Sequence, residues 1–209
     1  RDVAQQLMIR HYGSGPTLTY FAGGSSGGRE AMAVAQRYPR DYEGIIANYP
    51  ALEFVGLMMR VSAFSQALYG PGGFTSWGKL DNLNQHVVEA CDAQDGLADG
   101  LINRVEACHY NPAALRCWLN IDLGSSCLTD AQLRTVHALS DDMPLAFPLA
   151  QGLSSAPPFG ILYGANFAGP LDIGTWPFLL DPPVLGLNGY IASMNSEYLK
   201  HFIVRDPAY

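Results

Sequence analysis

Residues 17–38, TLTYFAGGSSGGREAMAVAQRY, constrain what this chain can fold into more than any other segment. An alternating apolar stretch (Leu18, Tyr20, Ala22) runs into Gly23, Gly24, Ser25, Ser26, Gly27 and Gly28, and an alanine-rich helical pattern follows at once. The order predicts a strand, a tight turn and a helix with a serine at the turn, the G-x-S-x-G elbow. A serine held on such a turn projects its hydroxyl, and flanking glycines let strand and helix approach without Cβ clashes. The N–H after the serine then lies at a helix N-terminus, where it can stabilise an oxyanion. Both Ser25 and Ser26 fit the pattern, and strand length does not separate them. The segment makes the chain a candidate ester or acyl hydrolase.

The surrounding pattern is that of an open α/β sheet. Residues 2–12 read as an amphipathic helix ended by Gly13, 17–22 as a strand, 27–38 as a helix stopped by Pro39, and 44–49 as a buried parallel strand. Two strands do not make a stable doubly wound sheet. The chain also opens on a helix at Arg1 with neither an initiating Met nor a signal pattern, so it reads as an excised or processed piece. After Pro50 the character changes: helices are expected over 51–69, 79–92 and 129–140, the last with Thr129 as N-cap. From residue 143 to 190 the sequence is rich in Gly, Pro and aromatics, and no Lys or Arg occurs between Arg134 and Lys200. This stretch is expected to form the loop-rich core of a cap rather than a substrate-contacting surface. The expected division is therefore a partial core over 1–50 and a cap over 51–209.

Composition narrows the function. With 209 residues and 48% hydrophobic content the chain can bury a core, and a net charge of −7 argues against a nucleic-acid surface. No apolar run is long enough for a membrane span. The four cysteines, Cys91, Cys108, Cys117 and Cys127, are separated by 16, 8 and 9 residues. Zinc sites bring cysteines closer together in pairs, so two disulfides are expected, in one of three possible pairings. Disulfides imply a secreted or periplasmic setting.

Two further features bear on chemistry. Downstream of the elbow lie His86, His109, His137 and His201, none in the glycine-rich loop that a catalytic histidine usually occupies. They read as solvated or packed imidazoles, and the serine's partners are expected outside this chain. Residues 92–102 place Asp92, Asp95 and Asp99 within eight positions, with Gly96 and Gly100 between and after them. Carboxylates on a sharply turning backbone suit Ca²⁺, which takes six to eight oxygens. An EF-hand register would put Asp95 at position one and Glu106 at position twelve, but Leu97 at position three has no side-chain oxygen. The alternative cage uses Asp92, Asp95 and Asp99 with the carbonyls of Leu97 and Leu101.

Residues 19–51, TYFAGGSSGGREAMAVAQRYPRDYEGIIANYPA, resemble the nucleophile region of the tannase and feruloyl esterase family, and 90–102, ACDAQDGLADGLI, resemble its second signature. CHYNPAALRC (108–117), CLTDAQ (127–132) and the terminal RDPAY resemble its lid. The resemblance implies part of an α/β-hydrolase core (nucleophile strand, elbow, helix and following strand) carrying a largely helical and irregular lid. It also implies a serine carboxylic-ester hydrolase acting on small phenolic-acid esters. It assigns Ser25 as nucleophile, the Ser26 N–H to the oxyanion hole, structural Ca²⁺ to Asp92, Asp95, Leu97, Asp99 and Leu101, and disulfides to Cys91–Cys108 and Cys117–Cys127. The family has a cysteine where this chain has Gly24, bridged to a cysteine beside the catalytic histidine, so that tie is missing here. The competing class is a non-catalytic, calcium-stabilised binding or structural module with a vestigial elbow. A lipase-like hydrolase is a weaker third.

Overall fold

The computed structural model describes residues 1–166 and 190–208, and the chain divides into two compact units, Arg1–Leu57 and Met58–Tyr209. In the first unit, helix α1 (Asp2–Tyr12) ends at Gly13 in the left-handed conformation, φ 79°, whose N–H closes on Ile9 O. Strand β1 (Tyr20–Gly24) pairs in parallel with β2 (Gly44–Asn48), in register from Tyr20 opposite Gly44 to Gly24 opposite Asn48. Helix α2 (Ser26–Arg37) connects them as the crossover that parallel pairing requires.

The first strand is displaced from the expected 17–22. Thr19 lies before it, because both its N–H and its hydroxyl donate to the Glu43 carboxylate, at 2.6 and 2.8 Å. The strand instead continues through Gly23 and Gly24, which pair with Ala47 and Asn48. The alternating residues Leu18, Tyr20 and Ala22 are exposed, while Phe21 is half-buried and packs edge-on against Tyr42.

In the second unit, α3 (Phe54–Tyr69, from Met58 onward), α4 (Trp77–Cys91) and α5 (Asp130–Ser140) supply most of one core. Phe64 and Leu68 of α3 meet Leu80, Leu83 and Val87 of α4 and Leu133, Val136 and Leu139 of α5. Each set recurs at three or four residues, one face of a helix. Helix α3 begins three residues later than expected, since Glu53 has φ 49° and breaks the helical path. Helix α5 carries a full capping box: Thr129 Oγ1 accepts from Gln132 N, and Gln132 Oε1 accepts from Thr129 N.

Between α4 and α5 the chain runs through short 3₁₀ turns tied by disulfides Cys91–Cys108 and Cys117–Cys127. After α5, β3 (Met143–Pro144) pairs antiparallel with β4 (Ser155–Ala156), and Ala156 and Ile161 are buried. Ile161 joins the helical core with Phe159, Leu162 and Tyr163 packed against it, whereas Phe147 is exposed; residues 167–189 of the same stretch lie outside the described residues. Helix α6 (Tyr190–Tyr198) runs into a π-helical turn, Leu199–Val204.

Two buried cations organise this unit, and neither is legible in the helical pattern. Arg60 on α3 is 1% exposed and donates to Ala138 O and Leu139 O at the end of α5 and to Ala156 O of β4. It thereby satisfies carbonyls that a helix C-terminus leaves open. Lys79 on α4 is 5% exposed, and its Nζ donates to Asp122 Oδ1, Gly124 O and Cys127 O at 3.0, 2.6 and 2.6 Å. Asp122 also accepts from Gln132 Nε2, joining the disulfide loop to the capping box. Lys79 and the Gly124 N–H hold the Asp122 carboxyl below its usual range.

Candidate active site

Ser25 stands between β1 and α2 with φ 55° and ψ −118°, a conformation that costs a non-glycine residue about 1–3 kcal/mol. The surrounding backbone enforces it. Ser25 N donates to Asn48 O at the end of β2, and Ser25 O accepts from Arg29 N and Ala51 N, at 3.2, 3.1 and 3.1 Å. A Cβ on Gly23 would lie 2.2 Å from Gly27 O, and one on Gly28 would lie 2.5 Å from Asn48 O. Strand, helix and the residues after β2 therefore meet backbone to backbone, which only glycine permits at those two places.

The geometry separates the two serines that the motif leaves equivalent. Ser25 occupies the strained turn, whereas Ser26 is the first residue of α2. Serine is a favoured N-cap, but Ser25 makes no capping hydrogen bond, so its exposed hydroxyl is not consumed by the helix. The Ser26 N–H is among the opening donors of α2, which have no intrahelical acceptor, and no described hydrogen bond engages it. A free hydroxyl beside a free helix-terminal N–H is the arrangement that acyl transfer uses for nucleophile and oxyanion donor.

Each histidine has a local setting. His11 lies on α1 and is exposed, as is His109 beside Cys108. His86 Nδ1 is 2.9 Å from Asn82 O of its own helix, His137 Nδ1 is 3.1 Å from Asp141 Oδ2, and His201 Nε2 is 3.2 Å from Glu197 Oε2. The last two pairs are exposed i,i+4 contacts of the kind that decorate helix surfaces.

The acidic loop is ordered by its own backbone. Gly96 and Gly100 have φ 99° and 85°, and the Cys91–Cys108 disulfide closes the segment. Asp92 accepts from Asp99 N and Gly100 N, Asp95 from Asn103 N and Leu97 N, and Asp99 from Leu101 N. The Asn103 and Leu97 N–H groups hold the Asp95 carboxyl below its usual range. The donor set is chemically right for a hard cation. Among the described residues, however, no three His, Cys, Asp or Glu side chains are placed together as a metal cluster. Glu106 is exposed and 3.7 Å from Arg104, and residues 105–107 form one 3₁₀ turn where an EF-hand would need its exit helix.

The fold is shared with esterases. The chain superposes over 100% of its length on 38% of the crystal structure of an esterase from Aspergillus oryzae, with a TM-score of 0.70 at 22% identity. The chain belongs to the tannase and feruloyl esterase family, whose model matches residues 1–208. An uncharacterized esterase of Agrobacterium fabrum is 32% identical over 213 aligned residues, covering 98% of this chain and 38% of the relative. A protein of Emericella nidulans named probable feruloyl esterase B is 36% identical over 157 residues, covering 71% of this chain and 29% of the relative. The chain thus spans well under half the length of these relatives.

Proposed function

We propose that this chain is the nucleophile-and-lid part of a secreted serine carboxylic-ester hydrolase acting on phenolic-acid esters. The observation that carries the reading is Ser25, held at φ 55° between strand and helix with its hydroxyl uncommitted and the Ser26 N–H beside it. A histidine from outside residues 1–209, oriented by an acid, removes the Ser25 proton as Oγ attacks the ester carbonyl carbon. Charge developing on the carbonyl oxygen is met by the Ser26 N–H. Collapse expels the alcohol, which takes the proton from the histidine, and water then releases the acid from Ser25. The local engagement of His86, His137 and His201 supports placing the base elsewhere. The feruloyl esterase names among the relatives support an aromatic acid part. The two disulfides support an oxidising compartment.

Asp92, Asp95 and Asp99, with the carbonyls of Leu97 and Leu101, are proposed to hold a structural Ca²⁺. A bound cation would neutralise the three carboxylates and lock the loop. The donor chemistry and the disulfide clamp support this assignment.

The test is hydrolysis of methyl ferulate and methyl gallate by the full-length protein, by its Ser25→Ala variant, and by residues 1–209 alone. The full-length protein turns over one or both esters, Ser25→Ala lowers kcat by at least about 10⁴-fold, and residues 1–209 stay at background. Turnover by residues 1–209 that Ser25→Ala abolishes would place the base within them and refute that part of the reading.

A further inference from the structure

Tyr49, the residue after β2, is a non-glycine residue at φ 33°, and its side chain is 66% exposed. Its ring reaches across to the residue preceding the nucleophile. A Cβ on Gly24 would lie 2.6 Å from Tyr49 Oη, 2.7 Å from Cζ and 2.9 Å from Cε2. The phenol therefore occupies the space that any side chain at residue 24 would take. Its backbone sits between Asn48, whose carbonyl accepts from Ser25 N, and Ala51, whose N–H donates to Ser25 O. No described hydrogen bond engages Tyr49 Oη. An aromatic ring is thus held on a strained backbone and lies over the residue that precedes Ser25.

Non-glycine residues held in strained backbone conformations cluster at active sites, where the strain serves the mechanism. We propose that Tyr49 is a specificity-determining residue, a wall beside Ser25 against which the planar aromatic ring of an ester's acid part packs. This rests on the serine-esterase reading above and adds to it a residue that selects aromatic over aliphatic acids. Ring–ring contact of this kind discriminates by about 2- to 10-fold beyond area burial. It acts equally on bound substrate and transition state, so it is read in KM rather than kcat.

In the full-length protein, Tyr49→Leu is expected to lower the ratio of kcat/KM for methyl cinnamate over methyl butyrate by about 2- to 10-fold, with kcat little changed. Tyr49→Phe, which keeps the ring, preserves the ratio. Gly24→Ala displaces the free end of the Tyr49 side chain rather than backbone, so it lowers the same ratio in the parent but not in the Tyr49→Leu background. An equal loss on both esters, or additive effects of the two substitutions, would overturn the proposal by reducing Tyr49 to a packing residue. Calorimetric binding of methyl cinnamate to the Ser25→Ala protein, with and without Tyr49→Leu, gives a readout that needs no turnover. Binding weakened by the same factor supports the wall even where hydrolysis is absent and the esterase reading fails. Undiminished binding refutes the wall whatever the activity.

Discussion

The two glycines that bracket Ser25 in the motif are not equivalent in space, and substituting each by alanine separates them. A Cβ on Gly23 would sit 2.2 Å from Gly27 O, 2.4 Å from Gly27 C and 2.9 Å from Gly27 Cα, all backbone of the elbow itself. Non-bonded carbon contacts need about 3.5 Å, so the N-terminus of α2 must retreat by roughly 1 Å. No flexible side chain can yield in its place. Overpacking costs about 1–3 kcal/mol where neighbours can relax, and Gly23→Ala belongs at or above the top of that range. A Cβ on Gly27 meets nothing within 4 Å, and the residue is helical. Gly27→Ala therefore gains up to about 1 kcal/mol in helix propensity, less so near this helix end. The measurement is urea unfolding of the full-length protein and both variants, followed by circular dichroism, with methyl ferulate turnover recorded alongside. Gly23→Ala is expected to lower the unfolding midpoint and to cut turnover by shifting the Ser26 N–H; Gly27→Ala is expected to do neither. The steric account is refuted if Gly27→Ala destabilises as much as Gly23→Ala, or if Gly23→Ala falls within about 0.5 kcal/mol of the parent, the spread of an ordinary surface substitution.

Three further outcomes are expected. Lys79→Met removes the donor shared by Asp122, Gly124 O and Cys127 O and should cost about 2–3 kcal/mol in denaturant unfolding, with the loss concentrated in hydrogen-exchange protection of residues 117–132. The Glu43 carboxyl is held low by the Thr19 N–H and hydroxyl, so its contribution is fully present above the ordinary glutamate pKa, about 4.3, and is lost as pH falls through its lower folded value. The melting-temperature gap between the parent and Glu43→Gln should accordingly be constant near neutrality and close below about pH 4; a gap that widens on acidification contradicts the hydrogen-bond account. For the calcium loop, titration of chelator-treated protein with Ca²⁺ should show affinity lost in Asp92→Ala and kept in Glu106→Ala, and loss only in Glu106→Ala would restore the EF-hand register.

Local pattern carried a good part of the structure. Helix α1 occupies the residues its amphipathic run and Gly13 predict, and α5 begins at Thr129 because the Thr129–Gln132 capping box is a four-residue device. The short strand at residue 44 and the disulfide chemistry of the four cysteines were also readable, since each depends on composition over a few neighbouring positions, but the expected burial of that strand is not seen, as Ile46 is 53% exposed. The elbow was legible as a type of turn. Local pattern left its occupant open, because Gly-x-Ser-x-Gly fits Ser25 and Ser26 alike, and only the family resemblance assigned Ser25.

That choice is made by Asn48 and Ala51, more than twenty residues downstream, whose carbonyl and N–H clasp the backbone of Ser25 and leave Ser26 to open the helix. The same kind of distant partner explains the other omissions. Arg60 and Lys79 look like ordinary charged positions on amphipathic helices, yet each is buried because carbonyls 45 to 96 residues away need its donors. Tyr49 reads as the end of a strand until the parallel register sets its ring over Gly24. The sequence by itself determined the helices, their caps, and that a serine would sit on a glycine-built turn, since those follow from short-range sterics and periodicity. Which charges are buried and which aromatic ring lies over Gly24 were decided only by tertiary structure, because hydrogen-bond partners and steric limits from remote segments exist only once the chain has folded.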